Sequence, residues 1–168
     1  MMKGLSKREV KVIAWLEFNN KYFFEISDIK RFFKKKTQIY DFIKRLVRKK
    51  RIIKINRNKY YLVPIKAVRG GWAEHPFIIA DEICNSKDYF IGGWSAANYW
   101  GLTEQIPFIT SVYTTRRQGT VKILSATLEF HRTTKKRVEQ RSVVQKIQDH
   151  EFRIISKEES RKWLRSRR

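Results

Sequence analysis

Lys66, Lys87 and Lys122 are the residues of this sequence that could do covalent chemistry with the least help. A desolvated amine attacks an aldehyde and forms a Schiff base. At an abasic site in DNA that step leads to strand cleavage by β-elimination, and a damaged or flipped base would stack on Trp94 or Trp100. On this reading the chain is an abasic-site lyase, or a glycosylase with lyase activity, and the residues do not choose among the three amines. Other catalytic chemistry finds little support. His75, His131 and His150 lack metal-ligand spacing. Cys84 sits on an apolar helix face without an activating base and reads as a buried thiol. There is no P-loop, no G-x-S-x-G and no cluster of carboxylates of the nuclease kind. Neither a metal nor a cofactor is expected.

A second chemistry, the neutralisation of phosphate, is written more broadly. The 168 residues include 38 Lys and Arg against 16 Asp and Glu, a formal net charge of +22. Such an excess favours a polyanionic partner, with double-stranded DNA the leading one. A Lys- and Arg-rich thermophile surface is the bland alternative, but it would carry Glu in balance. The charge is unevenly spread. Residues 1–63 hold 19 basic and 5 acidic residues, residues 64–130 hold 6 of each, and residues 131–168 hold 13 and 5. From Tyr89 to Thr115 the only charged residue is Glu104.

The elements that must position these residues begin with a capping box, Ser6 with Glu9, ahead of Val10, Ile13, Ala14 and Leu16 at roughly helical spacing. That is a first helix to about Phe18. Residues 22–26 read as a short strand, and Ser27 caps a second helix carrying Ile29, Phe32 and Phe33. Lys34, Lys35 and Lys36 make the turn into a third helix, where Ile39, Phe42, Ile43, Leu46 and Val47 form an apolar stripe. Residues 51–63 read as a hairpin around Asn56-Arg57-Asn58. Helix, strand, helix, helix and hairpin is the order of a winged helix, whose third helix enters the major groove. Lys34, Lys35 and Lys36 are then assigned to phosphates. Thr37, Gln38, Tyr40, Asp41, Lys44, Arg45 and Arg48 fall on the helix face turned from the core, and Arg57 and Lys59 belong to the wing.

The neutral middle reads as α+β: a buried helix over 75–84, a strand over 89–91, and a short helix capped by Ser95 and stopped by Gly101. Strands at 108–115 and 120–130 are expected to form a hairpin through Arg116, Arg117, Gln118 and Gly119, with Arg116 and Arg117 as DNA-contacting candidates. The C-terminal part reads as a basic turn at Arg132, Lys135, Lys136 and Arg137, strands at 138–144 and 151–155, and a helix opened by Ser156 and Glu159. Its basic residues, Arg161, Arg165, Arg167 and Arg168 at the terminus included, form a second DNA-contacting surface. The fold class is therefore α+β, a winged helix-turn-helix followed by a small α+β domain, with segments 1–63, 64–130 and 131–168 and the first boundary marked by Pro64, Gly70 and Gly71.

Residues 89–119, YFIGGWSAANYWGLTEQIPFITSVYTTRRQG, resemble the central segment of AbiEi-type antitoxins and their archaeal relatives. The resemblance rests on Tyr89, Ile91, Gly92, Gly93, Trp94, Ser95, Ala96, Gly101, Leu102, Thr103, Glu104, Gln105, Thr115, Arg116 and Arg117, and extends from the N-terminal winged helix to about His131. It implies a regulator that binds its own operator, represses its own operon and counteracts a nucleotidyltransferase-type toxin. It also implies that the middle segment is mainly a folding motif. The family's members usually continue for tens of residues beyond the position matching Ser156–Glu159, whereas this sequence ends at Arg168.

Composition bounds the rest. At 42% hydrophobic residues there is enough apolar material for a packed core. A single cysteine excludes an intrachain disulfide framework and suits a reducing, cytoplasmic compartment, with nucleoid association when DNA is bound. No apolar run approaches the ~20 residues of a membrane span, and the N-terminus lacks a secretory segment. A symmetric operator would call for a homodimer.

Overall fold

The computed structural model describes residues 4–64 and 74–167, and the mixed α+β chain divides into two units, Met1–Trp72 and Ala73–Arg168. Lys66, Gly70 and Gly71 lie outside the described residues.

The first unit opens with α1 (Lys7–Phe18), where the expected capping box forms: the Glu9 N–H donates to Ser6 Oγ and the Ser6 N–H donates to Glu9 Oε2. The buried stripe is Glu9, Val12, Ile13 and Leu16, spaced i, i+3, i+4, i+7. Val10 and Ala14 point outward instead. The true stripe contains a carboxylate, which is why an apolar reading misplaced it. There follow β1 (Phe23–Glu25), α2 (Ile26–Ile29), a 3-10 turn (Lys30–Phe32), α3 (Lys36–Arg48), β2 (Ile52–Lys54) and β3 (Lys59–Leu62). Ser27 does not cap α2. The position belongs to Glu25, whose N–H donates to Asp28 Oδ2 at 2.8 Å. The strands form an antiparallel sheet in the order β1-β3-β2. Ile39, Phe42, Ile43 and Leu46 of α3 pack with Val12, Ile13, Leu16, Phe24, Ile29 and Ile52 in one core, each such side chain contributing about 1.5–3 kcal/mol on burial. Val47, expected in the stripe, is 44% exposed.

The second unit contains α4 (Pro76–Cys84), β4 (Tyr89–Gly92), α5 (Gly93–Tyr99), β5 (Ile109–Thr114), β6 (Gly119–Ile123), β7 (Ala126–Arg132), α6 (Lys135–Arg141), β8 (Ser142–Ile147), β9 (His150–Ile155) and α7 (Lys157–Arg165). Its six strands lie in the order β6-β7-β5-β4-β9-β8. β5 does not form a hairpin with β6. It pairs in parallel with β7, while β6 and β7 make the antiparallel hairpin, turning at Leu124 with φ 55°. The stretch 135–141, read as a turn and the start of a strand, is helical and capped by Thr134. β9 inserts between β4 and β8, so the basic C-terminal stretch is built into the same sheet as the neutral middle. The β8–β9 turn has Gln148 and Asp149 at φ 50° and 64°, the primed geometry that suits strand twist. No helix among the described residues is long and apolar enough to cross a membrane.

The two glycines of the Gly92-Gly93 pair serve different ends. A Cβ on Gly92 would lie 2.7 Å from Tyr113 Cε2. That ring is held from both sides, Phe90 stacking on it at 5.1 Å and His131 at 5.0 Å across neighbouring strands. Gly93 has φ +60° and passes close to Ser111, so α5 can begin directly from β4. Ser95 does not cap α5, which starts at Gly93. Its hydroxyl donates to the Ile109 carbonyl at 3.2 Å and ties the helix to β5.

Candidate nucleic-acid interface

One side of α3 is consumed by the core, and that fixes what the other side offers. Thr37, Tyr40, Asp41, Lys44 and Arg48 are exposed on it, with Lys34, Lys35 and Lys36 exposed at its start. Lys36 Nζ lies 5.9 Å from the centre of the Tyr40 ring. The remaining two α3 candidates are partly spent within the unit. Gln38 is half-buried, and its Oε1 accepts from the Lys34 N–H at 3.3 Å, holding the lysine run against the helix start. Arg45 Nε lies 3.6 Å from Glu9 Oε1. Glu9 is 1% exposed and also takes Lys49 Nζ at 2.7 Å. Burial alone would push its carboxyl up. The hydrogen bonds from Lys49 and Ser6, with the Lys49 charge, outweigh that and hold it below the usual range.

The hairpin tip is organised by one side chain. Asn56 Oδ1 accepts from the N–H groups of Asn58 and Lys59 at 3.1 and 3.0 Å, closing the turn and leaving Arg57 and Asn58 exposed at its apex. Lys59 is half-buried at the start of β3.

The candidates of the second unit separate by role. Arg116 Nη2 is paired to Asp88 Oδ2 at 2.9 Å, and the Arg117 guanidinium lies 4.6 Å over the Phe130 ring, so both residues also hold the fold. Lys136 is exposed, and Lys135 is 3.9 Å from Glu139 one turn on. Trp100 donates its indole N–H to the Ile155 carbonyl at 2.9 Å and meets Tyr99 edge to face, which makes it a packing residue. Trp94 is 39% exposed. Lys87 and Lys122 are exposed on the surface and lack the burial that a Schiff-base amine needs, while Lys66 lies outside the described residues. Cys84 is buried, and desolvation, with Asp81 nearby, pushes its thiol up to about 12, where a thiolate nucleophile is not available.

Sequence reasoning missed a polar cluster built on the buried Asp81 and Tyr89. Asp81 accepts from Tyr89 Oη at 2.7 Å and from Ser86 Oγ at 2.8 Å, and its Oδ2 lies 2.9 Å from His150 Nε2. The Arg153 N–H donates in turn to Tyr89 Oη. Burial, then the Asp81 charge, keep the Tyr89 phenol protonated by raising its pKa. Asp81 sits 69 residues from His150 in sequence, and the packing of α4 on β9 brings them together. Ser86 bonds to the carboxylate rather than to the imidazole, so the three do not form a nucleophile-base-acid relay. Asp81, Glu82 and His150 offer ligand atoms within 4.8 Å of one another, but Asp81 and His150 already spend theirs on each other.

No protein-family model matches the chain, and no curated protein matches it.

Proposed function

We propose that the chain is a DNA-binding protein whose first unit acts as a winged helix, with α3 lying in the major groove. The observation that carries this reading is the exposed face of α3: Thr37, Tyr40, Asp41, Lys44 and Arg48 point away from a core that holds the helix rigidly by its other side. Lys34, Lys35 and Lys36 stand at the helix start for phosphates, and Arg57 stands at the apex of the β2–β3 turn for the backbone or minor groove. The order of the elements and the antiparallel three-stranded sheet support it.

The resemblance of residues 89–119 to AbiEi-type antitoxins narrows the proposal to a regulator of its own operon, a dimer on a palindromic operator, with a nucleotidyltransferase-type toxin as the protein it counteracts. The test is fluorescence anisotropy of the full chain on a labelled duplex between about 50 and about 200 mM salt, where each phosphate contact adds ~0.9 to the slope of log affinity on log salt. The Lys44→Ala/Arg48→Ala variant lowers that slope by up to about 2 if both side chains contact phosphates. An affinity that hardly moves with salt would overturn the proposal. Selection from randomised duplexes then returns a palindrome for a regulator, and no preferred site for a sequence-blind binder.

A further inference from the structure

The second unit holds a cleft of about 430 Å³ lined by Trp94, Leu102, Thr103, Gln105, Arg161, Leu164, Arg165 and Arg167. Its volume falls in the ~300–1,000 Å³ range of small-ligand sites. Arg161 and Arg165 stand one turn apart on α7, with Leu164 between them on the same side. Like charges at that spacing repel, and among the described residues no carboxylate is paired with either one. The nearby Glu159 is already engaged by Arg141 at 3.4 Å and Lys162 at 2.7 Å. Glu104, between two lining residues, is exposed and does not line the cleft. The wall is therefore cationic, and no carboxylate is among its described lining residues.

Trp94 supplies the other half. It meets Trp163 edge to face, with centroids 5.3 Å apart and planes at 86°. Whichever ring gives the edge, one face of Trp94 is left uncovered by Trp163. Arg167 lies 5.4 Å over Trp163 and extends the cationic wall toward the same pair of rings. A 39%-exposed indole with a face that Trp163 does not cover, in a cleft shared with guanidinium groups and Leu102 and Leu164, suits a flat heterocycle that carries an anion. An acidic peptide would use the arginines and leave the indole idle.

We infer that this cleft binds a nucleotide, its base stacked on Trp94 and its phosphate held by Arg161 and Arg165. The source is either an unpaired residue of a nucleic-acid strand or a free mononucleotide, and the chemistry is shared. The site belongs to the second unit and does not depend on α3, so duplex binding and nucleotide binding can fail separately.

The test titrates the full chain with two probes, an oligothymidylate of about ten residues and thymidine monophosphate, against wild type, Trp94→Leu, Trp94→Phe and Arg161→Gln/Arg165→Gln. Stacking on one base predicts that Trp94→Leu weakens the relevant probe by about tenfold, with Trp94→Phe retaining most of the affinity. The arginine variant weakens the same probe and lowers its salt slope, by up to ~0.7 for each strand phosphate released. An effect on the oligonucleotide alone assigns the site to a strand, and an effect on the monophosphate assigns it to a free nucleotide. Unchanged affinity for both probes in Trp94→Leu overturns the inference, as does loss in the arginine variant alone, which would make the cleft a plain anion site. Trp94 and both arginines are exposed, and circular dichroism of the arginine variant separates lost binding from lost fold.

Discussion

Lys49 Nζ donates to Glu9 Oε2 at 2.7 Å and to the Gly4 carbonyl at 2.9 Å, so one ammonium at the end of α3 fastens the start of α1. The carboxylate it meets also completes the capping box of that helix. A single buried acid thus joins a local signal to a long-range one. Glu9→Gln leaves the nearly buried Lys49 ammonium without its counter-charge and costs about 3 kcal/mol in urea unfolding. The pH dependence has a definite sign. The folded carboxyl titrates below its unfolded value near 4.5, so its contribution is present above that value and is lost as pH falls through the folded one. Glu9→Gln flattens that part of the stability profile. An identical acid limb in the variant would show that Glu9 is not its source.

His75 gives a second pH effect, in a different window. Its Nδ1 accepts the Phe77 N–H at 3.2 Å as the N-cap of α4, and burial lowers its pKa below 6.5. A neutral ring is needed for the cap, so the unfolded state takes up the proton first. Stability is full above about 6.5 and falls as pH drops from there toward the folded value. His75→Asn keeps a cap acceptor without a titration. Subtracting its stability profile from that of wild type isolates this step from Glu74, whose carboxyl burial pushes up and which destabilises in the opposite direction as pH rises past about 4.5.

Lys44 and Arg45 are adjacent in sequence, but their surroundings differ. Lys44 is exposed with no partner among the described residues, while Arg45 leans toward Glu9. If α3 is the recognition helix, Lys44→Ala weakens duplex binding and leaves the urea midpoint nearly unmoved. Arg45→Ala shifts the midpoint, by about 0.5–1 kcal/mol for a half-exposed pair, and weakens binding less. Equal binding losses would place both guanidinium and ammonium on phosphate.

Gly92→Ala and Gly93→Ala should both destabilise, for separable reasons. At Gly92 the new methyl meets Tyr113, which is clamped between Phe90 and His131, an overpacking cost of about 1–3 kcal/mol. The double variant Gly92→Ala/Tyr113→Ala recovers part of that cost in thermal unfolding. At Gly93 the cost is the left-handed backbone, roughly 1–2 kcal/mol, and removing Tyr113 gives no relief.

Much of the first unit was legible because its contacts are local in pattern. The α3 stripe, the Ser6–Glu9 box and the turn at Asn56 are each written within a few residues. One failure there came from a charge in the core: Glu9 occupies an inward position that apolar periodicity assigns elsewhere. The second unit was less legible because its pairing is not local. The parallel pairing of Ile109–Thr114 with residues 127–132 skips over β6, and nothing in the intervening residues announces the skip. Likewise the Asp81 cluster draws on residues 69 positions apart, and the cleft combines the start of α5 and the loop that follows it with α7. Chemistry assembled by sheet order is invisible to spacing along the chain.

The place of β9 also sets an order of events during synthesis. The last strand of the first unit ends at Leu62, so every described residue of its core has been made by then. The second unit must wait. Its β4 is made by Gly92, but one of its two neighbours, β9, ends only at Ile155. For those intervening residues the strand has an open edge on that side, a state prone to pairing with another chain. A translating ribosome therefore carries the described core residues of the basic unit ahead of an unfinished sheet.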